Sequence, residues 1–178
     1  MRHIGYIILS VALVIVSSCA KKTKRAEIQI RPEIPVDWLL FEAEDFVIRY
    51  PPDWEIRENM NGTVVCLLSR PASGGDLFRE NVNLVTERLT EDMGIDKYAS
   101  LSMRKIGNKY EIKEQKKYVA GGQESYHVRF AGADRLQIEQ KYFLKGKKAF
   151  IVTFTYELQE SDKIKDTGDK IINSFGIK

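Results

Sequence analysis

The sequence predicts an α+β domain in which an antiparallel β-sheet is flanked by helices, an α/β/α sandwich. Three observations predict it. Segments of period-two alternation fall into two groups, one before Leu89 and one between Tyr110 and Tyr156; each group is followed by a segment with apolar residues at helical spacing; and the strands of the second group are separated only by short glycine-containing turns.

The first group opens with Phe46-Val47-Ile48-Arg49-Tyr50, which Pro51-Pro52 closes because proline has no N–H for a ladder; the chain then turns through Asp53-Trp54. Val64 to Leu68 is a continuous apolar run that reads as a strand covered on both faces. Pro71-Ala72-Ser73-Gly74-Gly75-Asp76 is a loop by composition. Asn81 to Arg88 alternates again, with Val82, Leu84 and Thr86 on one face. Thr90-Glu91-Asp92 then offers N-cap chemistry, and Ile95, Tyr98, Ala99, Ser102 and Ile106 form one helical stripe ended by Gly107.

From Tyr110 to Tyr156 four strands follow one another as a meander, turning at Gly121-Gly122, Gly132-Ala133-Asp134 and Lys145-Gly146-Lys147. Tyr126, Val128 and Phe130 share a face of their strand, as do Leu136, Ile138, Gln140, Tyr142 and Leu144, and then Phe150, Val152, Phe154 and Tyr156. A three-residue loop at Gly132-Ala133-Asp134 would set Phe130 opposite Leu136, Val128 opposite Ile138 and His127 opposite Glu139. The last segment starts at Ser161 as N-cap and places Ile164, Ile171, Ile172 and Phe175 on one stripe before Gly176; Gly168 within it weakens the helix by about 1 kcal/mol relative to Ala.

Ahead of the domain, Arg2 supplies a positive start and Ile4 to Val16 an apolar run, which closes at Val16-Ser17-Ser18-Cys19. A spanning helix needs about 20 apolar residues. This run is interrupted by Ser17-Ser18 and then met by Lys21, Lys22, Lys24 and Arg25. The arrangement resembles the bacterial lipobox, at which a signal peptide is cut and the new N-terminal cysteine is acylated with palmitate-like chains. It implies residues 1–18 as signal peptide, Cys19 as the lipid attachment point, and residues 19–36, with Pro32 and Pro35, as a linker. Residues 37–178 then form a single domain on the extracytoplasmic side of a membrane. Ala20 rather than Asp after the cysteine points to the outer membrane, where the host has one. The alternatives are a secretory peptide cut near Ala20 or an uncleaved anchor. Lys21 to Arg25 reads as a solvated tether beside the anchor, with attraction to anionic headgroups as the other reading.

Composition and residue inventory exclude several classes. With 28 basic and 25 acidic residues of both signs well mixed, the profile is not that of a nucleic-acid-binding protein. Once Cys19 carries lipid, Cys66 is the remaining cysteine, so no intramolecular disulfide is expected, and within its apolar strand the thiol reads as a small hydrophobe. His127 is the one histidine after Cys19, which rules out a His/Cys zinc cluster and a two-histidine metalloprotease site. Neither Gly74-Gly75 nor Gly121-Gly122 has the spacing of a phosphate-binding loop, and no cofactor is implied.

A resemblance extends over nearly all of the chain after Cys19. Phe46-Val-Ile-Arg-Tyr50-Pro51-Pro52-Asp-Trp54 resembles the opening "F-x-x-x-Y-P-x-x-W" of the PsbP/Mog/DcrB superfamily; Asn81-Val-Asn83-Leu-Val resembles its next sheet strand, Tyr98 its central helix, and Ser174-Phe175 its terminal helix end. The superfamily includes a photosystem extrinsic subunit, a Ran-binding protein and envelope lipoproteins of the DcrB type, which this chain resembles most in signal and length. The resemblance implies the sandwich fold and a non-enzymatic role, and it carries over no catalytic residue. The loop from Pro71 to Phe78 matches nothing in it.

Candidate sites follow from the side chains. Trp38, Phe41, Tyr50 and Trp54 surround the proline turn, as core packing or as a contact surface. His127, with Glu139 across the ladder and Arg129 beside it, reads as a solvated cross-strand pair or a polar cluster. No G-x-S-x-G elbow accompanies it. Glu42, Glu44 and Asp45 near a strand start read as solvated, and Glu91 and Asp92 as favouring a helix N-terminus. No catalytic or metal residue is assigned. The expected function is that of a lipid-anchored, non-enzymatic envelope protein that binds a protein or envelope component through Trp38, Tyr50, Trp54 and His127 and the Pro71–Phe78 loop. The alternative is a small envelope hydrolase that uses His127.

Overall fold

Alternating and fully apolar segments pair into two sheets in a computed structural model that describes residues 27–28, 32–71, 73–75, 78–120, 122–133, 135–159 and 162–178. The signal segment, Cys19, Lys21 to Arg25, Ser161 and parts of the Pro71–Phe78, Gly121-Gly122 and Gly132–Asp134 turns lie outside the described residues. The elements are β1 (Glu27–Ile28), β2 (Leu39–Glu42), β3 (Phe46–Tyr50), β4 (Glu55–Glu58), β5 (Val65–Leu68), β6 (Asn81–Arg88), α1 (Ile95–Gly107), β7 (Ile112–Ala120), β8 (Gln123–Ala131), β9 (Leu136–Lys145), β10 (Lys148–Glu157), α2 (Asp162–Ser174) and β11 (Gly176–Ile177).

The large sheet has the order β1-β7-β8-β9-β10-β6-β5-β4 and is antiparallel apart from the β1–β7 pair. The β7 to β10 meander is as the turn spacing predicts. β3 instead belongs to a second antiparallel sheet of order β11-β3-β2, because Pro51 ends its ladder and its partners are Leu39 to Glu42 and the chain end. The short strands β1, β2, β4 and β11 carry too little periodic signal to be read beforehand.

Successive residues of β10 divide between two apolar clusters. Phe150, Val152, Phe154 and Tyr156 pack with Val82 and Leu84 of β6, with Phe46 and Ile48 of β3, and with Ile171, Ile172 and Phe175. Ala149 and Ile151 pack on the other face with Tyr126, Val128 and Phe130 of β8, Tyr142 of β9, and Ile95, Tyr98 and Ala99 of α1. The helices therefore lie on opposite faces: α1 over β7 to β9, α2 together with the small sheet over β10, β6 and β5. One outer layer is helix alone and the other is helix plus small sheet.

Two local expectations are corrected. α1 starts at Ile95 with Gly94 as N-cap and no side-chain cap; Leu89 is still tied to the sheet, its N–H donating to the Lys147 carbonyl at 2.8 Å, and Thr90 to Asp92 belong to the link between strand and helix. The β8–β9 register is shifted by two residues: Phe130 faces Ile138, Val128 faces Gln140, Arg129 faces Glu139 and His127 faces Lys141. The turn is longer than three residues, closed by Gly132 N–H to Leu136 O at 2.7 Å, with Arg135 in the left-handed region at φ 64°. A shift of two keeps every side chain on its face.

Candidate functional site

The half of the sheet formed by β7, β8 and β9 has one apolar face, under α1, and one polar face on the α2 side. On the polar face alternation places Glu114, Lys116 and Tyr118 of β7 opposite Arg129, His127 and Ser125 of β8, and the latter row meets Glu139 and Lys141 of β9. α2 buries Gly168, Ile171 and Ile172, so Lys165, Asp169 and Asn173, spaced by four, form a polar stripe along the margin of its buried face. Where that stripe overhangs the polar rows a cavity of about 240 Å³ remains, walled by the sheet residues Glu114, Tyr118, His127, Arg129, Glu139 and Lys141 and by Lys165, Asp169, Ile172 and Asn173 of α2.

The polar groups are tightly organised. His127 Nε2 is 2.9 Å from one Glu139 carboxylate oxygen, and the other accepts the Tyr156 hydroxyl at 2.8 Å. Arg129 donates to Glu114 at 2.6 Å, and Lys116 reaches the second oxygen of Glu114 at 3.1 Å. Lys141 donates to Asn173 Oδ1 at 2.7 Å, its Nζ 5.5 Å from the Tyr118 ring centroid. Glu139 and Lys141 are both 5% exposed, ionisable groups whose burial calls for polar partners of this kind.

Charge states follow from these contacts. Burial pushes the Glu139 carboxyl up, but the hydrogen bonds from His127 and Tyr156 and the nearby Arg129 outweigh it and hold the group below the usual carboxylate range. The Lys116 hydrogen bond, with Arg129 adding, holds Glu114 below its ordinary value despite desolvation. Asp169 behaves in the opposite way: burial, reinforced by the Glu139 charge, pushes it up to about 6, while Lys165 and His127 pull it partly back. Neither the Asp169 nor the Lys165 side chain has a hydrogen bond or ion pair with another described residue.

The residues singled out from the sequence are dispersed. Tyr50 and Trp54 are 8% and 6% exposed within the main core, and Trp38 packs half-buried against it, so core packing accounts for this aromatic group. Glu42 pairs with Lys178, Asp45 with Lys148, and Glu91 with Lys97. Cys66 is buried on β5, and burial pushes its thiol up against the opposing pull of Arg57 and Arg79. Gly74 and Gly75 lie in an open turn. His127, by contrast, is not solvated: its side chain is 16% exposed and that of Glu139 7%, and the pair is diagonal across the ladder rather than directly opposite. The α2 members of the site carry a single sequence signal, the spacing by four of Lys165, Asp169 and Asn173, which the sequence reading above does not use.

Chemically, the cavity offers two paired carboxylates, one carboxyl without a hydrogen bond or ion pair among the described residues, three basic side chains and an imidazole. Among the described residues, its lining contains no serine, threonine or cysteine. No group of three or more His, Cys, Asp or Glu side chains converges as a metal site among them, and none of their helices is long and apolar enough to cross a membrane.

No family model matches this sequence, and no curated protein matches it. Solved structures do match. The solution structure of cyanobacterial PsbP (CyanoP) from Synechocystis aligns over 87% of this chain and 98% of its own, at 12% identity and a TM-score of 0.60. A crystal structure of a Pseudomonas aeruginosa protein of unknown function aligns over 77% of this chain and 94% of its own, at 9% identity and a TM-score of 0.53. Identities this low speak to architecture alone, and the chain has a PsbP-like fold.

Proposed function

We propose that this chain is a lipid-anchored, non-enzymatic envelope protein, similar to the DcrB-like lipoproteins, whose PsbP-like domain binds an envelope component in the cavity under α2. The observation that carries the binding role is the pair Lys165 and Asp169, which line the cavity without a hydrogen bond or ion pair to another described residue. The lipobox-like Val16-Ser17-Ser18-Cys19 supports the anchor and the envelope location. Multiple acyl chains at about 0.8 kcal/mol per buried methylene give lasting attachment.

Metabolic labelling with radioactive palmitate tests the anchor. The protein takes up label and sediments with membranes, and Cys19→Ser loses both; an unlabelled wild-type protein recovered from the cytosol would sink this reading. A second reading, a small envelope hydrolase, is favoured by the His127–Glu139 hydrogen bond beside an Asp169 carboxyl that titrates near 6. It is removed if His127→Ala retains whatever hydrolysis the wild type shows on ester, glycan and peptide substrates.

A further inference from the structure

The charge pattern of the cavity narrows its ligand. Arg129, Lys141 and Lys165 balance Glu114, Glu139 and Asp169, so the lining has little net charge to offer a simple anion or cation. Four of these six groups are engaged within the protein: Arg129 with Glu114, Glu139 with His127 and Tyr156, Lys141 with Asn173. Lys165 and Asp169 are one helical turn apart, their Cβ atoms about 5–6 Å from each other by helix geometry, and they do not pair. The neighbouring Asp166 and Lys170, at the same spacing but outside the cavity, do pair, at 2.7 Å.

Asp169 is held at a cost, since burial disfavours its anion. A carboxyl kept in a cavity against that cost, beside an ammonium it does not contact, is placed for a group that the protein does not itself supply. A lone anion on Lys165 would leave Asp169 uncompensated and add to the repulsion from Glu114 and Glu139; a lone cation on Asp169 would leave Lys165 in the same position. A molecule that carries both charges answers both. About 240 Å³ limits it to a small molecule, and Tyr118 and Ile172 provide apolar wall for its body.

We propose that the cavity between α2 and β7 to β9 binds a small zwitterion of amino-acid or dipeptide size, its ammonium group on the Asp169 carboxylate and its carboxylate on Lys165 Nζ. This rests on reading the cavity as a binding site and is independent of how the chain is anchored.

Isothermal titration calorimetry on the full-length protein in detergent tests it, with L-alanine, L-glutamine and L-alanyl-L-alanine as probes and propionate and ethylammonium as singly charged halves. At least one zwitterion binds with one-to-one saturation, and each half binds about ten-fold more weakly or worse. Asp169→Asn and Lys165→Gln each weaken the zwitterion by about ten-fold or more, while Lys170→Gln leaves it unchanged. Affinity rises from pH 5 to pH 7.5, because Asp169 must lose its proton to pair. Absence of saturable binding by all three zwitterions up to about 10 mM overturns the proposal. So does a half that binds as tightly as the whole, although the cavity then remains a binding site; palmitate labelling at Cys19 is a separate readout that neither result affects.

Discussion

Gly168 of α2 lies flat against the ring of Phe154 in β10: a Cβ at position 168 would be 2.2 Å from Cε1 and Cζ of that ring. The Phe154 side chain is fully buried and fixed by its cluster, so the ring has no room to retreat. In an exposed helix Gly→Ala gains about 1 kcal/mol. Here the methyl group overpacks the contact at a cost of about 1–3 kcal/mol, occasionally more, so Gly168→Ala should be destabilising on balance. Urea unfolding should show a lower midpoint at unchanged slope, and a raised midpoint would contradict this packing.

Asp169 makes stability depend on pH in the sense opposite to a paired acid. Its value of about 6 in the folded chain lies above the ordinary 3.8, so between these values the native state binds more protons than the unfolded one. Stability contributed by this group therefore falls as pH rises from about 4 to about 6 and stays lower above. Asp169→Asn should leave stability unchanged below about pH 4 and raise it by up to about 3 kcal/mol at pH 7.5. Thermal unfolding at the two pH values checks this. A variant less stable than the parent at pH 7.5 would show that the carboxylate is held by a favourable contact and not against its burial.

Much of the fold was legible because its signals are local. β3, β6, the four meander strands and the stripe of α1 rest on alternation, turn residues and helical spacing, each contained in a few consecutive positions. The site was less legible because it arises between elements distant in sequence. That His127 and Glu139 share a face follows from parity, but their burial does not: it requires α2 to lie over that face, which is a property of tertiary packing. The polar positions of β7 to β9 looked like a solvated surface because period two cannot distinguish water from a helix bearing matching charges. The register error has a similar origin, since the extra turn residues at Gly132 to Arg135 preserve the alternation.

Cys66 should be chemically inert in the native protein. It is 3% exposed, and burial raises its thiol above the ordinary range, so little thiolate is available to attack. In a Cys19→Ser protein at pH 8, iodoacetamide should modify Cys66 only at the rate of unfolding, and mass spectrometry should find complete modification in 8 M urea. Rapid labelling without denaturant would mean that β5 opens locally far more easily than its place beside β6 implies.

The hydrogen bond between His127 and Glu139 gives a measurable distinction between a solvated pair and a buried one. An exposed cross-strand pair contributes about 0.2–1 kcal/mol. Here Glu139 is 5% exposed and His127 and Tyr156 each hydrogen-bond one of its carboxylate oxygens, so loss of either leaves a buried carboxylate oxygen poorly satisfied. A double-mutant cycle of His127→Ala and Glu139→Gln should therefore give a coupling of about 1–3 kcal/mol at pH 7.5. The carboxyl is held below its ordinary 4.5, so its contribution is present above that value and fades as pH falls through the depressed folded value. The coupling should accordingly shrink in acid as Glu139 takes up a proton. Tyr156→Phe gives an independent check, because it removes the second donor without touching the imidazole and should cost about 1–3 kcal/mol. A coupling below about 0.5 kcal/mol at pH 7.5 would mean that water reaches the pair freely and that α2 does not close over this face.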